Sequence, residues 1–289
     1  MTAPAPPPRT LPLRWLGVAP FLTFAGLFLI LPTLYIVLGA FRAQDGGFTL
    51  DHLRSLDAPN IRNAYWLSIR ISFWSALLGC LVGLAISGAI VHGGLPKWVR
   101  APVLTFSGVA SNFAGVPLAF AFIATLGPAG LITLWLRKDF GINLRAMGFN
   151  LLSPQGLVLT YLFFQIPLMV LIITPALEGL KREWREAAAI LGASGLQYWR
   201  MVALPILFPS ILGCFALLFA NAFGAVATAM ALTGSTLNIA PILLFAQIRG
   251  DVLGSPGLGY ALALGMILIA GVTNALSIWL RTRSERWLK

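Results

Sequence analysis

Residues 15–41 read WLGVAPFLTFAGLFLILPTLYIVLGAF, 27 positions without one charged side chain. A helix needs about 20 apolar residues to cross the hydrocarbon core of a bilayer, and the apolar region of a signal peptide holds only about 7–15. The stretch therefore reads as a membrane crossing, bent at Pro20 and Pro32, where proline removes a backbone donor. The same criterion predicts five further spans, at 71–91, 103–126, 157–177, 206–232 and 258–280. Pro167 lies inside the fourth, and a Gly/Ser/Pro break at 254–257 precedes the sixth. The start of the chain, MTAPAPPPRTLPLR over 1–14, is too rich in proline for a helix and reads as a disordered tail. The expected fold class is an all-α membrane protein of about six transmembrane helices, with 15–289 forming one transmembrane domain.

Composition agrees with that reading. Of 289 residues 58% are hydrophobic and only 10% charged, with a mean hydropathy of +0.86, whereas soluble domains carry roughly 25% charged residues. A water-exposed fold of this composition would present large apolar patches and aggregate. The net charge of +11 does not indicate nucleic-acid binding, because the basic residues fall singly between apolar runs instead of forming one patch. They follow the positive-inside bias. With the tail inside, twelve Lys and Arg lie on the inner side against eight outside, and the acids widen the contrast to net +8 against +3. Both termini are thus expected in the cytoplasm, with the remaining basic side chains meeting lipid headgroups.

Much chemistry is missing. The chain has no GxxxxGK[ST] loop to cradle a nucleotide. His52 and His92 are far apart, no HExxH occurs, and the serines of the spans have no neighbouring base. Cys80 and Cys214 sit in apolar segments without CxxC spacing, as packing residues. No Asp or Glu lies deep in a span, although proton- or sodium-coupled carriers need ionisable groups there. No internal repeat relates one half of the chain to the other, unlike many secondary transporters. The chain does not read as an enzyme or a metal protein, and the energy for pumping is expected from a partner subunit.

One polar stretch interrupts the apolar pattern on the inner side, EGLKREWREAAAILGASGLQYWRMVALP over 178–205. Strong helix formers fill 181–191, with Trp184, Ala188 and Leu191 as a small apolar stripe and Glu183, Glu186 and Ile190 on another face. Gly192 ends this helix, and Ser194 is placed to cap a second short one. The segment reads as two short helices at the membrane surface presenting the small residues 187–189. Glu186-Ala187-Ala188, three residues, Gly192, nine residues, Val202, then Leu204-Pro205 resembles the EAA signature, EAAxxxGx9IxLP, with Val in place of Ile. That signature marks the membrane subunits of binding-protein-dependent ABC importers, the type I permeases.

The resemblance implies a coupling segment over 178–205, with Glu183, Glu186, Ala187, Ala188, Gly192, Ser194, Leu204 and Pro205 as its functional residues. They would dock into two separate ATPase subunits, which hold the ATP and magnesium, this chain having no cofactor of its own. Glu186 would pair with a basic group of the ATPase, the alanines would permit close approach, and Gly192 would supply the turn. A second permease chain, more readily different than identical, and a soluble or anchored substrate-binding protein complete the implied assembly in a bacterial inner membrane. The alternative is a self-contained carrier or channel, in which 178–205 is only a surface helix.

In this family the core helices line the pathway. The polar candidates are Asn112 on the third span, Gln165 on the fourth, and Asn221 and Thr228 on the fifth. Each can equally serve as an interhelical hydrogen bond. The run GVASNFAGVP at 108–117 allows either close backbone packing or an unwound helix. FTLDHL at 48–53 and NAYWLSIRIS at 63–72 resemble the polyamine-type branch, a neighbour of importers for ferric iron, sulfate, phosphonates and thiamine. Polyamine, sulfate and molybdate permeases often have Gly followed by an acid in the fifth span, and here Gly224 is followed by Ala225.

Overall fold

The computed structural model describes residues 13–43, 45–93, 96–249 and 256–285, so the proline-rich tail lies, through residue 12, outside the described residues. The chain starts with α1 (Leu13–Ala25), a π turn at Gly26–Ile30 and α2 (Leu31–Ala40). The short α3 (Asp51–Arg54) leads into the long α4 (Pro59–His92). Next come α5 (Lys97–Asn112), α6 (Val116–Leu126), α7 (Leu131–Asp139) and α8 (Pro154–Glu178). Two short helices, α9 (Arg182–Ile190) and α10 (Gly195–Tyr198), precede a π turn at Trp199–Ala203 and α11 (Leu204–Phe223). The described chain closes with α12 (Val226–Thr233), α13 (Ala240–Arg249) and α14 (Pro256–Glu285).

Among the described residues six helical stretches are long and apolar enough to cross a membrane: Gly17–Ala40, Pro59–His92, Val116–Asp139, Pro154–Glu178, Gly195–Phe223 and Gly257–Trp279. Three, the first, fourth and sixth, agree with the expected spans. The third, expected as one helix over 103–126, is instead broken between Asn112 and Val116. Gly115 takes φ +75°, a conformation that disfavours side chains with a Cβ, and Pro117 supplies no donor to the turn before it. The fifth, expected over 206–232, breaks at Gly224 and Ala225, where α11 ends and α12 begins. The second begins earlier than expected, at Pro59, because Arg62 and Arg70 remain exposed and cost the helix nothing.

Both π turns lie just ahead of a proline. The Leu31 N–H reaches back five residues to the Gly26 carbonyl before Pro32, and the Leu204 N–H reaches back five to Trp199 before Pro205. A proline ring collides with the carbonyl four residues back, and one extra residue in the turn relieves that collision while the helix continues. The bend expected at Pro32 takes this form.

The centre of the fold is the crossing of α4 on α8. One face of α4 carries Ser68, Ser72, Ser75, Ala76, Gly79, Gly83 and Ser87, all buried. Small side chains at this spacing let two membrane helices approach backbone to backbone. A Cβ at Gly83 would stand 2.5 Å from the Met169 Cβ, and one at Gly79 3.0 Å from the Gln165 Cβ. Around this crossing two buried cores form. One gathers Met169, Ile173, Leu177, Leu207 and Leu218 with both cysteines, and the other gathers Leu118, Leu157, Tyr161, Phe164 and Ala229. The first span stands outside both: none of its apolar window is buried, and it touches α14 where Tyr35 and Tyr260 meet edge to face at 5.8 Å.

Candidate functional site

The polar segment over 178–205 folds as the two short helices expected of it. α9 runs to Ile190, and Gly192, at φ +80°, reverses the chain, with its own N–H bonded to the Ala189 carbonyl at 3.0 Å and that of Ala193 to Ala188 at 2.9 Å. Ser194 then opens α10 with a reciprocal cap: the Gln197 N–H donates to Ser194 Oγ at 3.3 Å, and the Ser194 N–H donates to Gln197 Oε1 at 2.7 Å. Glu183, Glu186 and Ala187 are exposed, as are Gly192, Ser194, Leu204 and Pro205. Ala188 instead faces inward, in one core with Leu180 and Tyr198, so its small size seats α9 on the helices above. The expected apolar stripe stops there, because Leu191 is 86% exposed and Ile190 equally so. Exposed Leu196 and Met201 extend this apolar outer surface. The Arg100–Glu178 ion pair ties the start of α5 to the end of α8 beside the segment.

At the opposite end of α11 the two broken helices meet. The Gly115 N–H, freed by the first break, donates to Thr228 Oγ1 at 2.7 Å, the first turn of α12 just past the second break. Tyr161 of α8 donates its hydroxyl to the Ala225 carbonyl at 3.0 Å, in the second break itself. Phe113, in the first break, packs against Phe163 with ring centroids 5.9 Å apart. Both interruptions thus lie level with residues 161–163 of α8. From the Arg100–Glu178 pair to that level α8 rises ~22–26 Å at 1.5 Å per residue, which puts the breaks level with the interior of this apolar span.

No family model matches the chain. It is 31% identical over 244 residues to a putative 2-aminoethylphosphonate transport system permease protein of Salmonella choleraesuis, covering 82% of this chain and 81% of that one. The chain belongs to the permease subunits of ABC importers. The permease is also 27% identical over 270 residues to a probable sulfate transport system permease protein of Nephroselmis olivacea, covering 91% and 89% of the two chains. Among solved structures, a bacterial ABC transporter that imports the acidic polysaccharide alginate superposes at a TM-score of 0.69 with 18% identity, over 96% of both chains. The MetNI methionine transporter in inward-facing conformations gives 0.51 at 15% identity, over 77% of this permease and 94% of that chain. These two likenesses concern the fold. The relatives are transport subunits, and the permease is a multi-pass membrane protein, not an enzyme.

The four polar positions singled out on the core spans have different surroundings. Thr228 is buried at the junction of the breaks. Gln165 is fully buried one turn along α8 from Tyr161, where its amide donates to the Leu218 carbonyl at 2.9 Å and approaches Ser75 Oγ at 3.5 Å. Asn112 and Asn221 are exposed near the two breaks, Asn112 bonding the Gly108 carbonyl of its own helix at 2.9 Å. Tyr161 and Ser68 were not picked out from the sequence. Ser68 accepts the Ala240 N–H at 2.9 Å and so ties α13 to α4. The signal for Tyr161 was a hydroxyl inside an apolar run, because a buried tyrosine needs a partner for its O–H.

Thr228→Val keeps the shape of the side chain and removes the acceptor for the Gly115 N–H. Leaving such a donor unsatisfied costs about 1–3 kcal/mol. The thermal midpoint of the purified permease is expected to fall, with Thr228→Ser retaining the wild-type value. Equal midpoints for Thr228→Val and wild type would show that the junction contributes nothing to stability.

Proposed function

We propose that this chain carries a small tetrahedral oxyanion across a bacterial inner membrane, handed over by a binding protein and driven by separate ATPase subunits. The observation that carries the ATP-driven part is the exposed pair of helices at 182–198, with its reciprocal cap, left-handed glycine turn and uncovered apolar surface. A surface of that kind marks a contact with a protein or a membrane, and the EAA spacing at 186–205 favours the protein. In the proposed assembly Glu186 meets a basic group of the ATPase, which holds the nucleotide, and a second permease chain encloses the pathway with this one. Six candidate crossings among the described residues, an even number, together with the charge bias, support the reading that both ends lie on the cytoplasmic side. A related alginate transporter has been solved with a substrate-bound periplasmic protein, and a binding protein is proposed here by the same likeness.

The oxyanion rests on relatives named for sulfate and 2-aminoethylphosphonate transport. The helix breaks support it over the polyamine. Between Asp57 and Asp139, between Asp139 and Glu178, and between Glu186 and Asp251 the sequence has no acidic residue, so no carboxylate lines the core helices to receive a desolvated polycation. The junction instead offers hydroxyl, amide and backbone N–H groups. The test is uptake by proteoliposomes containing the permease with its co-purified partners. ATP-dependent accumulation of sulfate or 2-aminoethylphosphonate, with no accumulation of putrescine, is expected. Accumulation of putrescine would refute the substrate class. Transport by the isolated chain without ATP would refute the ATP-driven assembly and leave a self-contained carrier.

A further inference from the structure

Behind the coupling segment, the ends of α4 and α8 and the first turns of α9 enclose a cavity of about 720 Å³. Its polar lining is His92, Glu178, Lys181, Arg182, Arg185 and Glu186. Glu178 is already neutralised by Arg100, so three permanent cations face a single uncompensated carboxylate, that of Glu186. Among the described residues none of the three cations has an ion pair. Lys181 leans over the Trp184 ring, 5.8 Å from its centroid. The His92 imidazole stands edge-on to Trp199 with centroids 5.6 Å apart, and its Nδ1 is buried without a hydrogen-bond partner among the described residues. Buried polar atoms are rarely left so. A concave site with three cations against one uncompensated carboxylate suits an anion with several acceptor oxygens.

We propose that this cavity binds a phosphate-type tetrahedral anion, supplied by the headgroup of an anionic phospholipid. Arg182 and Arg185 carry forked N–H pairs that match two oxygens of such a group, and Lys181 supplies a third cation on the same lining. The position favours a lipid as the source. The cavity lies where two crossing helices end, at the membrane boundary, and basic pockets between crossing helices on that side hold phosphate headgroups. A headgroup held there joins the crossing helices to α9 and fixes the angle at which the short helices project. This goes beyond the transport reading and holds whatever the transported solute.

The test uses the full-length permease purified in detergent and read by native mass spectrometry and thermal unfolding. Phosphatidylglycerol is expected to stay bound and raise the unfolding midpoint, and phosphatidylcholine is not. Arg182→Gln and Arg185→Gln should each weaken retention about fivefold, the effect of one cation near a membrane surface, with Arg185→Lys, which keeps the charge and loses the fork, falling between Arg185→Gln and wild type. Arg137→Gln, on α7, serves as the control and should leave retention unchanged. Inorganic phosphate is added alone in a parallel arm. Protection by phosphate equal to that by phosphatidylglycerol supports the site and assigns its anion to the aqueous phase. Wild-type retention of phosphatidylglycerol by the Arg182→Gln/Arg185→Gln double variant, or no anion effect in either arm, would overturn the proposal.

Discussion

Glu186→Lys is expected to lower ATP-driven uptake about thirtyfold or more, the scale of loss when one member of a buried interfacial charge pair is spoiled, while the subunit stays inserted at normal levels. Glu186 is exposed and has no ion pair among the described residues, so the fold itself does not depend on it. Its replacement is expected to act on the proposed ATPase contact, and it also removes the one uncompensated carboxylate from the cavity lining. Gly192→Asp should behave similarly for a different reason. At φ +80° the turn tolerates a side chain poorly, and nothing lies within 4 Å of a Cβ there, so the cost is one of backbone conformation and not of crowding. α9 and α10 would then leave their mutual angle while the crossing helices stay packed. Uptake assays paired with immunoblots of the membrane fraction separate loss of coupling from loss of protein. Wild-type uptake by Glu186→Lys at normal subunit levels would remove the coupling role from this segment.

Gly83→Ala and Gly88→Ala should have opposite outcomes although the two glycines share α4. At Gly83 a methyl would collide with the Met169 Cβ and Cγ at 2.5 and 2.6 Å and stand 3.1 Å from the Ile166 carbonyl. Backbone-proximal overpacking of this kind costs typically about 1–3 kcal/mol, and at the central crossing of the fold it should appear as a lower thermal midpoint and poor insertion. At Gly88 nothing lies within 4 Å of a Cβ, so alanine brings only its higher helix propensity, up to about 1 kcal/mol. Thermal unfolding of both variants in one detergent decides the matter. A Gly83→Ala protein as stable as wild type would mean that α4 and α8 are not in close backbone contact.

These features were legible in the sequence to different degrees. The six crossings followed from runs such as 15–41, where a bilayer leaves helix as the only reading. The turn at Gly192 and the cap at Ser194 followed from local chemistry, because a glycine after a helical run and a serine three residues ahead of Gln197 act on their own neighbours. The breaks in the third and fifth spans were not legible as breaks. The run at 108–117 allowed close packing or unwinding, and the choice depends on Thr228, 113 positions away, supplying the acceptor that an unwound Gly115 needs. The inward turn of Ala188 was legible in the stripe it shares with Trp184, which packs on the same core. The exposure of Leu191 was not, because the helix ends at Ile190 and Leu191 no longer follows its periodicity.

From the cap at Ser194 to the break at Gly224 the chain is helical without interruption, the π turn at Trp199–Ala203 included. Its 29 residues make a rod of ~44 Å at the ordinary rise per residue, with the short surface helices at one end and the Gly115–Thr228 junction at the other. Such a rod behaves as a lever. Pivoted at its midpoint by about 10°, it carries each end through nearly 4 Å, more than the length of the hydrogen bond that joins the two broken helices. On the proposed docking of an ATPase, a push on the short helices would thereby be delivered, geometrically and without relay by intermediate side chains, to the level where the two helices are interrupted.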